Sequence, residues 1–360
     1  MTKILFLYPA VKNIPNGGLK NIFDYSNMLA NDGFDVTIAF ASSFNSIDIT
    51  FAKKLKSLLK FGYLKFVIGK SGYTWYKVDR RIKQIFVLKP SSETLPTSDV
   101  YIATAVCTAP YIDSLECNNA KYYYIQGYEK FIVSDDDFIQ KTYRLPLHKI
   151  VISRWLKRLV EKEGQQCKLI PNGFDFNLYK VTIPIENKDR YTVSMLYHIN
   201  PRKDIKTGIA ALKKVKERIP QLKLIMFGAY DTPDFLEEWM TYYRTPSIEQ
   251  HLQINNEAAI YVGCSQIEGW GLTVGEAMMC GQAVACTDND GYKEMAVDGD
   301  NALLSPICDS DALADNITKL ISDNQLRFKI AHRGVESIKS FDIQKSYKTF
   351  RNYITSSIRK

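Results

Sequence analysis

Two glutamates stand eight positions apart in the stretch E-G-W-G-L-T-V-G-E, Glu268 to Glu276, with Gly269, Gly271 and Gly275 between them. The apolar residues that follow predict a helix opening near Leu272, which leaves Glu268 in the preceding loop and Glu276 in the first turns. Carboxylates so placed can accept hydrogen bonds from the hydroxyl pairs of a sugar. Glycine-flanked amides at a helix start can satisfy phosphate oxygens, aided by the helix dipole. A helix that merely favours acids near its N-terminus would need neither the three glycines nor both glutamates so placed. A second glycine pair, Gly17-Gly18, lies between the first apolar segment and the first helical one. Small residues there let a ligand approach the backbone, although such a turn can also be only a turn.

The elements that position these residues alternate in type. K-I-L-F-L-Y (3–8) predicts a buried strand, a loop with Pro15, Gly17 and Gly18 follows, and a helix is expected over roughly 19–32. D-V-T-I-A-F (35–40) completes a β-α-β unit, with further strands at 99–104, 121–125 and 149–153. A second series starts near 190: strands at 191–196, 222–228, 259–263 and 282–287, helices near 204–217 and 272–281. The turn-rich K-L-I-P-N-G-F-D (168–175) separates the series. The expected fold class is therefore α/β, with two doubly wound Rossmann-like domains facing across a cleft, 1–167 and 168–342. An amphipathic helix within 343–360 is expected to pack back on the first domain.

Composition excludes several classes. Hydrophobic residues at 46% and charged residues at 24% are those of a globular protein. No window approaches a membrane span, and the short N-terminal apolar run before Pro9 reads as a strand, so a cytosolic or peripheral protein is expected. The seven cysteines show no C-x-x-C and the four histidines no ligand-like spacing, so reduced thiols and no metal site are expected. Asp135-Asp136-Asp137 does not end an apolar strand and reads as a solvated loop or helix cap. The net charge of +8 is local: residues 51–90 hold eleven basic side chains and one acid, Asp79. There lysines interleave with Leu55, Leu58, Leu59, Phe61, Leu64, Phe66 and Val67, a pattern that suits the surface of an anionic membrane or a solvated helix with an ordinary core face. No nucleic-acid-binding motif accompanies the patch.

The Glu268–Glu276 window resembles the glutamate–seven-residues–glutamate motif of retaining glycosyltransferases of family 4 (glycosyl transferases group 1), which have the GT-B fold. L-I-P-N-G-F-D is similar to that family's interdomain linker, and D-N-D-G-Y-K-E-M-A-V-D-G-D-N-A-L-L (288–304) to the segment after its motif. Y-Y-I-Q-G-Y-E and S-R-W-L resemble a branch that includes polysaccharide rhamnosyltransferases. The resemblance implies that Glu276 binds the ribose of a nucleotide sugar, while Glu268 holds the donor sugar with the backbone of Gly269, Trp270, Gly271 and Leu272, and Thr273 lies among the nucleotide-sugar-binding residues. It also aligns L-Y-H-I-N-P-R-K-D-I (196–205) with the diphosphate loop G-R-x-x-x-x-K-G. Lys203 matches the lysine, but His198 stands at the arginine and Asp204 at the glycine. Arg202 is then a candidate for the missing guanidinium, whose fork suits phosphate oxygens.

The expected activity is transfer of a hexosyl group from a nucleoside-diphosphate sugar, UDP- or dTDP-linked, to a hydroxyl of a growing cell-surface glycan, without cofactor; the resemblance implies retention and no bound metal. Lys203, Arg202 and the Gly17-Gly18 turn would stabilise the leaving diphosphate, and the acceptor would be a glycan or lipid-linked glycan at the inner face of the membrane. The alternatives are a nucleotide-sugar epimerase, which needs no acceptor, and a non-catalytic membrane-associated scaffold. A nicotinamide dehydrogenase is disfavoured, since no G-x-G-x-x-G follows the first strand and no acid ends the second.

Overall fold

The structure, a computed structural model, describes residues 1–42, 51–130 and 132–357, with the backbone alone at 51–54 and 57. Of the basic window, the side chains of Lys53 and Lys54 thus lie outside the described residues, as do the last three positions of the expected helix 343–360. The chain divides into two units, Met1–Asn172 together with the stretch from Gln344, and Gly173–Ile343.

In unit 1 the elements run β1 (Lys3–Pro9), α1 (Gly17–Asn31), β2 (Asp35–Ala41), α2 (Phe51–Ser71), β3 (Lys83–Val87), β4 (Val100–Ala103), α3 (Ala109–Asp113), β5 (Ala120–Ile125), α4 (Asp136–Tyr143), β6 (His148–Val151), α5 (Arg154–Lys162) and β7 (Cys167–Leu169). The strands pair in parallel in the order β3-β2-β1-β4-β5-β6-β7. Because Cys167–Leu169 completes this sheet, the chain leaves unit 1 later than the turn-rich composition of 168–175 implied. Gly17 and Gly18 are not loop residues: they open α1, which Asn16 caps by accepting from the Leu19 amide at 3.0 Å. Asp135 caps α4 in the same way, while Asp136 pairs with Lys130 and Asp137 with Lys141.

Unit 2 runs β8 (Thr192–Leu196), α6 (Ile205–Arg218), β9 (Lys223–Gly228), β10 (Met240–Arg244), α7 (Ile248–Glu257), β11 (Ile260–Gly263), α8 (Leu272–Met279), β12 (Ala283–Thr287), β13 (Ala302–Ser305), α9 (Ser310–Ser322) and α10 (Asn324–Ile338). Its strands are again all parallel, in the order β10-β9-β8-β11-β12-β13. A parallel sheet covered by helices on both faces reads as near-continuous apolar strands; A-V-A-C-T of β12 is buried throughout. Lys188, 5% exposed, fixes the far ends of α7 and α8 by donating to the carbonyls of Asn255, Ala258 and Cys280 at 3.2, 3.2 and 2.8 Å.

The last helix, α11 (Ile343–Ser356), completes the core of unit 1. The Phe350 ring lies 4.6 Å from Tyr25, 5.6 Å from Tyr124 and 6.2 Å from Phe6. Tyr347 and Arg351 both bond the Asp32 carboxylate at 2.6 Å, which holds Asp32 below the usual carboxylate range. Where the chain passes into and out of unit 2, Phe174 pairs with Asp342, and a side chain on Gly173 would meet the Ile343 backbone at 2.3 Å. Among the described residues no helix is long and apolar enough to cross a membrane.

Candidate functional site

In a doubly wound parallel sheet, ligands bind at the carboxyl ends of the strands where the winding reverses. In unit 2 that point lies between β8 and β11, which are hydrogen-bonded neighbours. The loop after β8 carries His198, Arg202 and Lys203, and the loop after β11 carries Glu268 and leads into α8. Topology therefore brings together residues more than sixty positions apart in sequence.

The two loops are tied through their main chains. The Gln266 amide donates to the Arg202 carbonyl at 2.7 Å, and the Cys264 thiol donates to the Lys203 carbonyl at 3.2 Å. Across this tie the Lys203 ammonium pairs with Glu268 Oε1 at 2.5 Å, and the side chains are only 24% and 13% exposed. Ser265 Oγ donates to the same oxygen at 2.7 Å and accepts from the Tyr292 hydroxyl at 3.0 Å. Thr287 and Asn289 hold the Ser265 carbonyl at 2.5 and 2.9 Å. A buried relay thus fixes the Glu268 carboxylate. Its charge and that of Lys203 offset each other across the two loops.

Gly271 precedes α8 at φ +100, a conformation L side chains rarely adopt, and no side chain caps the helix. A Cβ there would also lie 2.5 Å from the Tyr292 ring. Glu276 is 7% exposed, in the second turn of α8. Thr273 Oγ1 accepts from the Tyr261 hydroxyl at 2.7 Å. Gly269 and Leu272 are half-buried. One expectation needs correction. Gly275 does not serve to expose an amide: its N–H bonds the Gly271 carbonyl, and its missing side chain makes room for the Phe174 ring, which a Cβ would meet at 2.0 Å. The Trp270 ring is 2% exposed and packs edge-on to Phe341, so its side chain serves packing, which leaves the expectation for its backbone untouched.

The departures from the family's diphosphate loop have physical explanations. Asp204 takes φ 46, ψ 47, the left-handed conformation natural to glycine and tolerated by Asp, while its carboxylate accepts from Thr207 at 2.8 Å. His198 Nδ1 accepts from the Asn200 amide at 2.9 Å, which places the ring proton on Nε2, 3.1 Å from the Tyr230 hydroxyl. Burial, reinforced by Lys203 and Arg202, pushes its pKa down to about 4. His198 is consequently neutral at physiological pH, and the cations of this loop are Arg202 and Lys203. Gly17 and Gly18 belong to unit 1, where Gly18 sits close to the Tyr8 hydroxyl and the Asn16 and Gln126 side chains.

Ser265, Tyr292, Thr287 and Asn289 carry no signal of their own in the sequence. Tyr292 lies in D-N-D-G-Y-K-E, and its role emerges only once β12 brings that segment under the β11 loop. Among the described residues no group of three or more His, Cys, Asp or Glu is placed to hold a metal ion.

The family model described as Glycosyl transferases group 1 matches residues 182–336, which include both loops, α8 and Tyr292. Residues 182–336 form a glycosyl transferases group 1 domain. The chain is 25% identical over 211 residues to phosphatidyl-myo-inositol mannosyltransferase of Mycolicibacterium smegmatis, covering 54% of this chain and 53% of the relative. It is 26% identical over 211 residues to the putative glycosyltransferase EpsD of Bacillus subtilis, covering 51% and 53%. The chain spans about half the length of the curated relatives it matches. In structure it is similar to Anabaena HepE in complex with UDP-glucose, with a TM-score of 0.73 at 18% identity, over 99% of this chain and 100% of that one. The fold is thus GT-B, and the group 1 domain coincides with unit 2.

Proposed function

We propose that the protein is a glycosyltransferase that moves a hexosyl group from a UDP- or dTDP-linked sugar to a hydroxyl of a growing cell-surface glycan, with retention. The observation that carries this reading is the Lys203–Glu268 pair, held across the winding reversal of a group 1 domain beside the uncapped start of α8. Lys203 and Arg202 take the diphosphate, helped by the α8 amides. Glu268 orients sugar hydroxyls, and Glu276 receives the ribose.

In the reaction the bond from the anomeric carbon to the diphosphate breaks and a bond to the acceptor oxygen forms on the same face. The acceptor proton passes to the leaving phosphate. The protein's contribution is positioning and charge stabilisation, which need no bound metal in this scheme. UDP is the first nucleotide to test, since HepE, which shares the fold, was seen with UDP-glucose. A lipid-linked acceptor at the inner membrane face fits a relative named for phosphatidyl-myo-inositol.

Melting shifts with UDP, dTDP and GDP sugars will identify the donor, and NMR of the product's anomeric configuration will test retention. An inverted product would refute retention. Turnover of donor without acceptor would instead indicate an epimerase, and no shift with any nucleotide sugar would remove the donor assignment. Arg202→Ala is expected to abolish donor binding while His198→Ala weakens it modestly; the reverse order would refute the assignment of Arg202.

A further inference from the structure

Helix α2 has two apolar faces. Phe61, Leu64 and Ile68 are 8%, 5% and 2% exposed and pack inward, Phe61 lying 6.2 Å from Phe86 of β3. Leu55, Leu59, Tyr63 and Phe66 are 49%, 68%, 66% and 70% exposed. At 3.6 residues per turn these four span about 80° of the circumference, centred opposite the buried face. A helix that needed only to cover the core of unit 1 would be polar there. Scattered exposed apolar residues need no explanation, but a contiguous stripe of four marks a docking surface.

The stripe is bordered by charge of one sign. Lys56, Lys60, Lys65 and Lys70 are all exposed, and among the described residues no carboxylate pairs with any of them. This charge decides the occupant. A second copy docking through the same stripe would set lysines against lysines, a like-charge arrangement that interfaces avoid. A surface with negative head groups above an apolar layer satisfies both features, with Tyr63 and Phe66 at the boundary where aromatic rings favour the head-group level.

We infer that α2 lies side-on in an anionic lipid surface, with Leu55 and Leu59 against the acyl chains, Tyr63 and Phe66 at the boundary with the head groups, and Lys56, Lys60, Lys65 and Lys70 against lipid phosphates. This docking surface is preformed, since the opposite face of the helix is already fixed to β3. The inference stands apart from the transfer reaction, because lipid binding requires no substrate.

The test is co-sedimentation of the full chain with vesicles of phosphatidylcholine alone and of phosphatidylcholine with 30% phosphatidylglycerol, at about 0.1 M and 0.5 M salt. Two variants accompany it, Leu59→Ser/Tyr63→Ser/Phe66→Ser and Lys56→Gln/Lys60→Gln/Lys65→Gln/Lys70→Gln. Their altered side chains are solvent-exposed, so wild-type melting is expected. Wild type should bind the anionic vesicles, more weakly at high salt, and leave the neutral ones in solution. Loss of four lysines should weaken partitioning by about a thousandfold, and the apolar variant should also lose binding. Absence of wild-type binding, equal binding to neutral vesicles, or undiminished binding by either variant would overturn the inference. So would a wild-type dimer that the apolar variant converts to monomer.

Discussion

Gly275 sets two effects of opposite sign against each other. It is an interior residue of α8, where alanine would gain about 1 kcal/mol from helix propensity. Yet a Cβ would stand 2.0 Å from Cζ of Phe174 and 2.6 Å from both Cε atoms. Phe174 is 4% exposed, and its amide is bonded to the Phe341 carbonyl at 2.8 Å, so the ring has no free direction in which to withdraw. Overpacking costs about 1–3 kcal/mol, and a methyl aimed at a ring tip belongs at the top of that range. Gly275→Ala should therefore lose about 2 kcal/mol net, or roughly 4–8 °C of melting temperature in a domain of this size. Phe174→Leu removes the ring tip, so the double variant should be more stable than the sum of the single losses by about 1 kcal/mol or more. Calorimetry on the four proteins measures both quantities. A Gly275→Ala protein that melts at or above wild type would show that propensity wins, and would refute the packing role assigned to this glycine.

Other residues give independent tests. Tyr292→Phe keeps the ring and removes the donor to Ser265, so about 1 kcal/mol should be lost in urea unfolding, against about 3 kcal/mol or more for Tyr292→Ala. Lys188→Met leaves three helix-end carbonyls without their donor and should cost about 2 kcal/mol or more, visible as a lower melting temperature at pH 7. For His198 the folded pKa falls from 6.5 to about 4, so the unfolded chain binds a proton that the folded one resists. Its contribution is complete above pH 6.5 and declines toward pH 4, by up to about 1.4 kcal/mol per pH unit. His198→Gln should flatten that acid limb in melting curves; a limb unchanged by the substitution would locate the titrating group elsewhere.

The alternation of strands and helices was legible because each strand of a covered parallel sheet is an apolar run bounded by turn formers. M-T-Y-Y-R of β10 escaped detection, since an edge strand exposes most of its side chains and carries no such run. The pairing of Lys203 with Glu268 was readable only as two separate motif fragments, because β8 and β11 become neighbours through a crossover that sequence distance conceals. Gly275 looked like part of a phosphate loop for the same reason. Its partner, Phe174, lies about a hundred positions away, and nothing local to the helix distinguishes a glycine that yields space from one that presents an amide.

The position of α11 in the chain bears on how the protein is made. Phe350 fills a slot among Phe6, Tyr25 and Tyr124, yet it leaves the ribosome after every residue of unit 2. Until then the nascent first unit presents an open aromatic cleft, while the second has all it needs to close. Early folding of unit 2 then helps unit 1, because the Phe174–Asp342 pairing brings the two flanking chain ends together. The 231-position separation between Tyr122 and Tyr353 shrinks to a much shorter effective loop. A roughly fourfold shortening is worth about 1 kcal/mol of closure entropy. Synthesis order and thermodynamics thus favour the same sequence of events, with the inserted unit acting as the clasp that lets the interrupted one finish.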